Sequence, residues 1–324
     1  MSSDEVKRAR TSTSKFIIDF VDLRFLVRNS KFIFLMTSRR NALRRSVALL
    51  GAAGLAAFFK PGEARAAKGR FRIGACDWSI GKRDDVGSLE LGAKIGLDGI
   101  QVNMGSAAND MHLRRPEIQR AYREAARKHR VRIGGLALGE LNNVPYKSDD
   151  RTDAWVHDSI GVAKALDVKV VLLAFFSKND LRDDPAGQGV VISKLKAVAP
   201  AAEKAGVILG IESYLSAADH LKIIEAVGSK NVQVYYDVRN SADMGYDIYQ
   251  EIRWLGKQGQ ICEFHFKEYD ALLGGGIVDF GKVREAIDEI DYRGWVQIEG
   301  AVPKGGDIAR SYVANNAFVR KTLG

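Results

Sequence analysis

From about residue 70 the chain alternates two hydrophobic periods. Short β-branched or apolar runs are separated by longer segments with apolar residues at helical spacing. The short runs predict strands over Phe71–Trp78, Gly99–Met104, Val131–Leu138, Val168–Phe175, Val207–Glu212, Val232–Val238, Ile261–Phe266 and Trp295–Glu299. Helical segments follow each one, starting near Ser88, Pro116, Asp149, Gln188, Ser216, Tyr246, Asp279 and Asp307. Arg114–Arg130 shows how they are built, with Ile118, Tyr122, Ala125 and Ala126 on one face and basic residues on the other. Strict β-α alternation implies a parallel sheet covered by helices. Eight units in the 258 residues 67–324 match the size of a single closed (β/α)8 barrel of the α/β class. An open doubly wound sheet fits less well. No Gly-x-Gly-x-x-Gly follows the first strand, and Gly274-Gly275-Gly276 comes only after the seventh.

Composition narrows the class. A chain that is 46% hydrophobic and 27% charged can bury a core, and two cysteines cannot form a disulfide framework. The net charge of +9 invites a nucleic-acid reading until it is located. Residues 1–66 carry 13 Lys/Arg and 5 Asp/Glu, whereas residues 67–324 carry 36 and 35. The basic charge belongs to the leader, and the remainder has no basic excess for a phosphate backbone. Within the leader, Met36 precedes Ser38-Arg39-Arg40 and Arg44-Arg45, then an apolar stretch from Val47 to Phe59, a Lys60-Pro61-Gly62 break, and Ala64-Arg65-Ala66. A charged start, a short apolar middle and small residues at a cut site predict a secretory signal over 36–66, with the paired arginines resembling a twin-arginine signal. The expected destination is the periplasm or another exported compartment. Residues 1–35 precede a complete signal with its own Met and are expected not to be translated or not to be ordered. No apolar run reaches membrane-span length, so no stable span is expected in the mature protein.

In a barrel of this kind chemistry sits at the C-terminal ends of the strands. Strands five to eight end in Gly210-Ile211-Glu212, Tyr235-Tyr236-Asp237, Glu263-Phe264-His265 and Gln297-Ile298-Glu299. Each places a polar residue just after an apolar one. The separations of 25, 28 and 34 residues are about one βα unit each, so the four side chains should converge. Three carboxylates and an imidazole in one place would repel and resist burial. A divalent cation resolves this. Oxygen-rich ligation with one nitrogen suits Mn2+, Mg2+, Co2+ or Zn2+. Cys76 and Cys262 lie outside this pattern and are expected to be buried thiols, so thiolate ligation is not expected.

Glu212, Asp237, His265 and Glu299 on successive strands resemble the sugar isomerase/epimerase superfamily with the xylose isomerase-like barrel, over nearly all of residues 70–324. That superfamily includes ketose 3-epimerases, hydroxypyruvate isomerases, inosose dehydratase and endonuclease IV nucleases. The resemblance implies one bound divalent ion and a carbohydrate substrate. It also implies proton transfer through an enediolate between two glutamates, Glu212 and Glu299, flanking the reacting carbon. Two positions depart from ketose epimerases. Asn240 stands where a His follows the Asp ligand, and Lys267 follows the His ligand where an Arg is usual. Lys267 is a candidate electrophile or acid, and Asn240 a candidate hydroxyl ligand. A lyase or dehydratase acting on keto-sugars or 3-keto-glycosides is therefore the alternative, and a nuclease a more distant one. Weaker substrate-binding candidates are Trp78 after strand one, Asn103 on strand two with Gln101 two residues before it, Glu140 with Asn142 and Asn143 after strand three, and His112 after strand two. His129, His157 and His220 fall on helix faces and are expected to be solvated. A homo-oligomer remains open.

Overall fold

The computed structural model describes residues 70–323; the proposed signal (36–66) and the segment before it (1–35) lie outside the described residues. Eight parallel strands close into a barrel in sequence order: β1 (Arg72–Cys76), β2 (Gly99–Asn103), β3 (Arg132–Leu138), β4 (Val170–Phe175), β5 (Ile208–Ser213), β6 (Val232–Asp237), β7 (Ile261–Glu268) and β8 (Trp295–Gly300). This is the expected (β/α)8 barrel. The outer layer holds α1 (Ser88–Ile95), α2 (Pro116–His129), α3 (Arg151–Ala165), α4 (Pro185–Ala205) and α5 (Ala217–Val227). It continues with α7 (Ile248–Lys257), α8 (Phe280–Glu289) and α9 (Ile308–Leu323). One further helix, the six-residue α6 (Val238–Asp243), follows β6 directly. Among the described residues no helix is long and apolar enough to cross a membrane.

Short polar residues start several helices, satisfying amides that have no partner inside the helix. Ser216 accepts from the Asp219 N–H, and Asp247 and Asp279 cap α7 and α8 in the same way. The main core lies between strands and helices, built from the apolar faces that the sequence pattern marks. A second, smaller cluster lies inside the barrel: Ala137, Val170, Leu172, Ala174, Tyr235 and Cys262, with Trp78, Phe176 and Ile208 packed on it.

The barrel interior is unequal. On β3 and β4 its lining is small or apolar. Toward β5–β8 it is polar, with Glu263, His265 and Gln297 all buried. Gly74 on β1 makes room for that polar side, since a Cβ there would come within 2.0 Å of Gln297 Oε1. Register fixes the rest. Ala174 pairs with Glu212, Asp237 with His265, and Lys267 with Glu299, so the predicted ligands lie at neighbouring heights near the C-terminal ends of their strands.

His220 corrects an expectation. It lies on the inner face of α5, buried, with Nε2 2.9 Å from Ser213 Oγ and Nδ1 3.0 Å from the Ser216 carbonyl. Burial pulls its pKa down to about 4, so it stays neutral at physiological pH. The helical period alone could not separate the inner from the outer face at this position, because Ser213 supplies a polar partner on the inner one.

Candidate metal centre

Glu212, Asp237, His265 and Glu299 each offer a ligand atom, and these atoms all lie within 4.8 Å of one another. His265 is fully buried, and Glu212 and Asp237 nearly so. His265 Nδ1 faces the carboxylates, 2.7 Å from Glu212 Oε1, 3.6 Å from Glu299 Oε2 and 3.9 Å from Asp237 Oδ2. The arrangement follows from strand geometry, in which inward residues near the C-terminal ends of four neighbouring strands must meet at the rim.

Asp237 shows how one carboxyl can serve two tasks. Its Oδ1 caps α6, accepting from the Arg239 N–H at 2.8 Å and the Asn240 N–H at 2.9 Å. Its Oδ2 is buried without a hydrogen-bond partner and faces the other three groups. Burial pushes Asp237 up to about 7, opposed by Lys267 and reinforced by Glu212 and Glu299. Glu299 goes the other way. Burial would raise it, but the Lys267 ammonium and His265 outweigh that and bring it down to about 2. Its Oε2 accepts from Lys267 Nζ at 2.8 Å and its Oε1 from Trp78 Nε1 at 2.7 Å. Burial works against charge on Lys267 too, yet Glu299, Asp237 and Glu212 hold the ammonium well above its ordinary range. An orphaned carboxylate oxygen, a convergent set of three carboxylates and one imidazole, and partners that keep Glu299 ionised fit a hard or borderline divalent ion.

Behind the candidate ligands lies an outer layer that the sequence pattern left unassigned. His265 Nε2 is 2.8 Å from Gln101 Oε1, and Gln101 Nε2 donates to the Tyr235 hydroxyl at 3.1 Å. An amide oxygen on Nε2 holds a proton there, which leaves Nδ1 as the nitrogen that faces the carboxylates and would meet a metal ion. Tyr235 also meets the imidazole edge-on, with ring centroids 4.6 Å apart. Cys76, which the sequence pattern set apart from this group, is buried with Sγ 3.3 Å from His265 Nε2. Burial pushes its thiol up to about 12, so it stays a thiol on the far side of the imidazole from the carboxylates. The closed barrel brings β1 within reach of β7 across the interior, which linear spacing does not display.

The centre opens into a cavity of about 250 Å³ lined by Trp78, Asn103, Glu212, Asn240, Lys267 and Glu299, among others. Sites for small organic ligands run from ~300 to ~1,000 Å³, so this one, just below that range, has room only for a small molecule. Two candidates lie elsewhere. His112 is folded back under the β2 loop, buried edge-on against Tyr122 and 3.9 Å from Asp84. Glu140 braces the loop after β3, accepting from the Ala107 N–H at 3.2 Å and Asn143 Nδ2 at 3.1 Å, while its neighbours Gly139 and Asn142 line the cavity. Lining residues that the pattern did not single out are Arg83, Phe176 and Tyr214, the last two forming an edge-to-face aromatic wall with centroids 4.7 Å apart.

Structural comparison finds the same barrel in sugar epimerases. D-Psicose 3-epimerase from Clostridium cellulolyticum H10, solved with D-tagatose, superposes with a TM-score of 0.67 at 19% identity, over 78% of this chain and 99% of that one. An L-ribulose 3-epimerase gives 0.63 at 20% identity over 78% and 94%. The 3-keto-D-glucoside 4-epimerase from E. coli, in its apo form, gives 0.63 at 15% identity over 78% and 99%. No curated protein matches at the level of sequence. The family model described as "Xylose isomerase-like TIM barrel" matches residues 89–321, most of the chain. With the eight-stranded barrel and its four convergent strand-end side chains in place, the chain belongs to the xylose isomerase-like TIM barrel family.

Proposed function

We propose that this chain is a metal-dependent sugar isomerase or epimerase, which moves a proton at a carbon beside a carbonyl. The observation that carries the reading is that Glu212 and Glu299 both line the small cavity while converging with Asp237 and His265. A divalent ion held by these four residues would supply Lewis acidity, polarising the substrate carbonyl and acidifying the neighbouring C–H. Mn2+, Mg2+, Co2+ and Zn2+ all suit the donor set. Glu299, kept ionised by Lys267 and Trp78, is the base that takes the proton. Glu212, one strand beyond Asp237 on the opposite flank, returns it. Lys267 Nζ, inside the cavity, donates to the oxygen on which charge develops. Asn240 lines the cavity with its side-chain oxygen accepting from the Tyr269 hydroxyl at 3.1 Å, so its amide N–H2 is positioned for a substrate hydroxyl. Return of the proton to the opposite face of the same carbon gives an epimer; return to the neighbouring carbon gives an aldose–ketose isomer.

One observation favours a second reading, a lyase or hydratase on keto-sugars or 3-keto-glycosides. Lys267 is a protonated acid beside the proposed base, which is the pair needed to expel a leaving group from the same enediolate. Delivery to the periplasm through the leader is part of the proposal. Incubating the protein with Mn2+ and a panel of ketoses and 3-keto-glucosides in D2O tests both readings. Deuterium uptake at the carbon beside the carbonyl supports the proton-transfer chemistry, and release of an alcohol or water distinguishes the lyase. Glu299→Gln should lower exchange by ~100-fold or more, the usual scale for removing a general base. Full exchange in that variant would refute the assignment.

A further inference from the structure

We infer that the substrate carries a carboxylate, which Arg83 binds at the mouth of the cavity. This rests on the carbohydrate reading above and narrows its substrate class to acidic keto-sugars. Arg83 lines the same cavity as Glu212, Lys267 and Glu299. It makes no ion pair or side-chain hydrogen bond among the described residues, although its neighbours are firmly tied. The Lys82 N–H donates to the Asp77 carbonyl at 2.8 Å and its Nζ to Asp85 at 2.8 Å. Asp84, in the left-handed region at φ 58°, accepts from Asn103 Nδ2 at 2.7 Å and Asn109 Nδ2 at 2.9 Å. The loop between β1 and α1 is thus pinned on both sides of Arg83. The buried Asp77 accepts the Asn103 N–H on Oδ2, its Oδ1 has no hydrogen-bond partner among the described residues, and it forms no ion pair with Arg83.

Charge points the same way. A divalent ion would cancel two of the three ligand carboxylates, and Lys267, 2.8 Å from Glu299 and 3.7 Å from Asp237, the third. Arg83 then remains, exposed and without a side-chain partner among the described residues, on the cavity wall beside Asp84, whose carboxylate is held by Asn103 and Asn109. A neutral sugar offers it only hydroxyl acceptors, whereas a carboxylate matches its planar fork bidentately and cancels its charge. A single guanidinium suits one carboxylate; a phosphate dianion would call for a second cation or a row of backbone N–H groups, and the other cation of the lining, Lys267, pairs with Glu299 and is assigned to the oxygen at the reacting carbon.

The test uses the full chain loaded with Mn2+ and three ligands that differ only at C6: D-fructose, D-fructuronate and D-fructose 6-phosphate. Calorimetry reads binding without requiring turnover. D-Fructuronate should bind about tenfold more tightly than D-fructose, the scale of one charge-assisted hydrogen-bonded pair. Arg83→Gln should bring that ratio to near one, with Arg83→Lys intermediate. Equal binding of the two sugars, failure of D-fructuronate to bind, a preference that survives Arg83→Gln, or a larger preference for the phosphate would overturn the inference. Absence of deuterium exchange alongside an intact Arg83-dependent preference would count against the proposed reaction and leave the carboxylate site standing.

Discussion

His265 has two ends, and each is spoken for. Nδ1 looks into three carboxylates and Nε2 rests on Gln101, whose own amide is oriented by Tyr235. A hydrogen bond of this kind raises ligand basicity and fixes the ring, and losing it typically costs about 10- to 100-fold in metal affinity. Gln101→Leu should therefore weaken Mn2+ binding by about that factor, and it should also lower the melting temperature of the metal-free protein, because it leaves the buried Tyr235 hydroxyl and His265 Nε2 without their partner. Unchanged affinity would remove Gln101 from the centre. The four ligand candidates were legible in the sequence because each is the polar residue that ends an apolar strand. Gln101 was visible only as one of two polar residues on β2, since its partner lies 164 residues away. His112 and Glu140 follow strands as active-site residues do, yet their loops turn them away from the cavity.

At the scale of elements, the return from β6 and the loop after β7 are built together. Asp237 ends β6 and caps α6, so the helix that presents Asn240 starts at a ligand candidate. Arg239 on α6 reaches the fully buried Glu268 at the end of β7, and Glu268 Oε1 also accepts from the Val278 N–H at 2.9 Å. Gly276 lies hard against that carboxyl, where a Cβ would come within 2.0 Å of Oε2. The glycine run after β7 is thus a packing device around a buried acid. Glu268→Leu strands the Arg239 guanidinium, though Asp243 still pairs with it at 2.8 Å. A cost of about 2 kcal/mol follows, below the ~3–5 kcal/mol for breaking a fully buried pair, and lowers the melting temperature by roughly 4–8 °C. No shift in calorimetric melting would contradict this. The strands and the eight outer helices were readable from period and caps. α6 was not, because six residues carry too little periodicity and its cap is a residue already assigned to the site.

At the scale of the molecule, an apolar shell between strands and helices encloses a barrel whose middle is polar on one side. That polarity has a cost. Glu263 is buried with Oε2 unpartnered, and burial pushes it up to about 8 from an ordinary 4.5. Between those two values the unfolded chain releases this proton while the folded one keeps it, so stability falls as pH rises through the window. Glu263→Gln should melt higher than the parent at pH 8, with the gap closing toward pH 4.5. A gap that widens on acidification would reverse the sign and the assignment. Such an interior is tolerable because it supports the rim above it, where the four strand-end groups converge. Calorimetric titration of the metal-free protein with Mn2+ tests that convergence most directly. One ion should bind per chain, and Asp237→Asn and His265→Ala should each weaken it beyond the ~100-fold that loss of an outer partner gives. No binding, or binding untouched by both substitutions, would contradict a metal centre at these four strand ends.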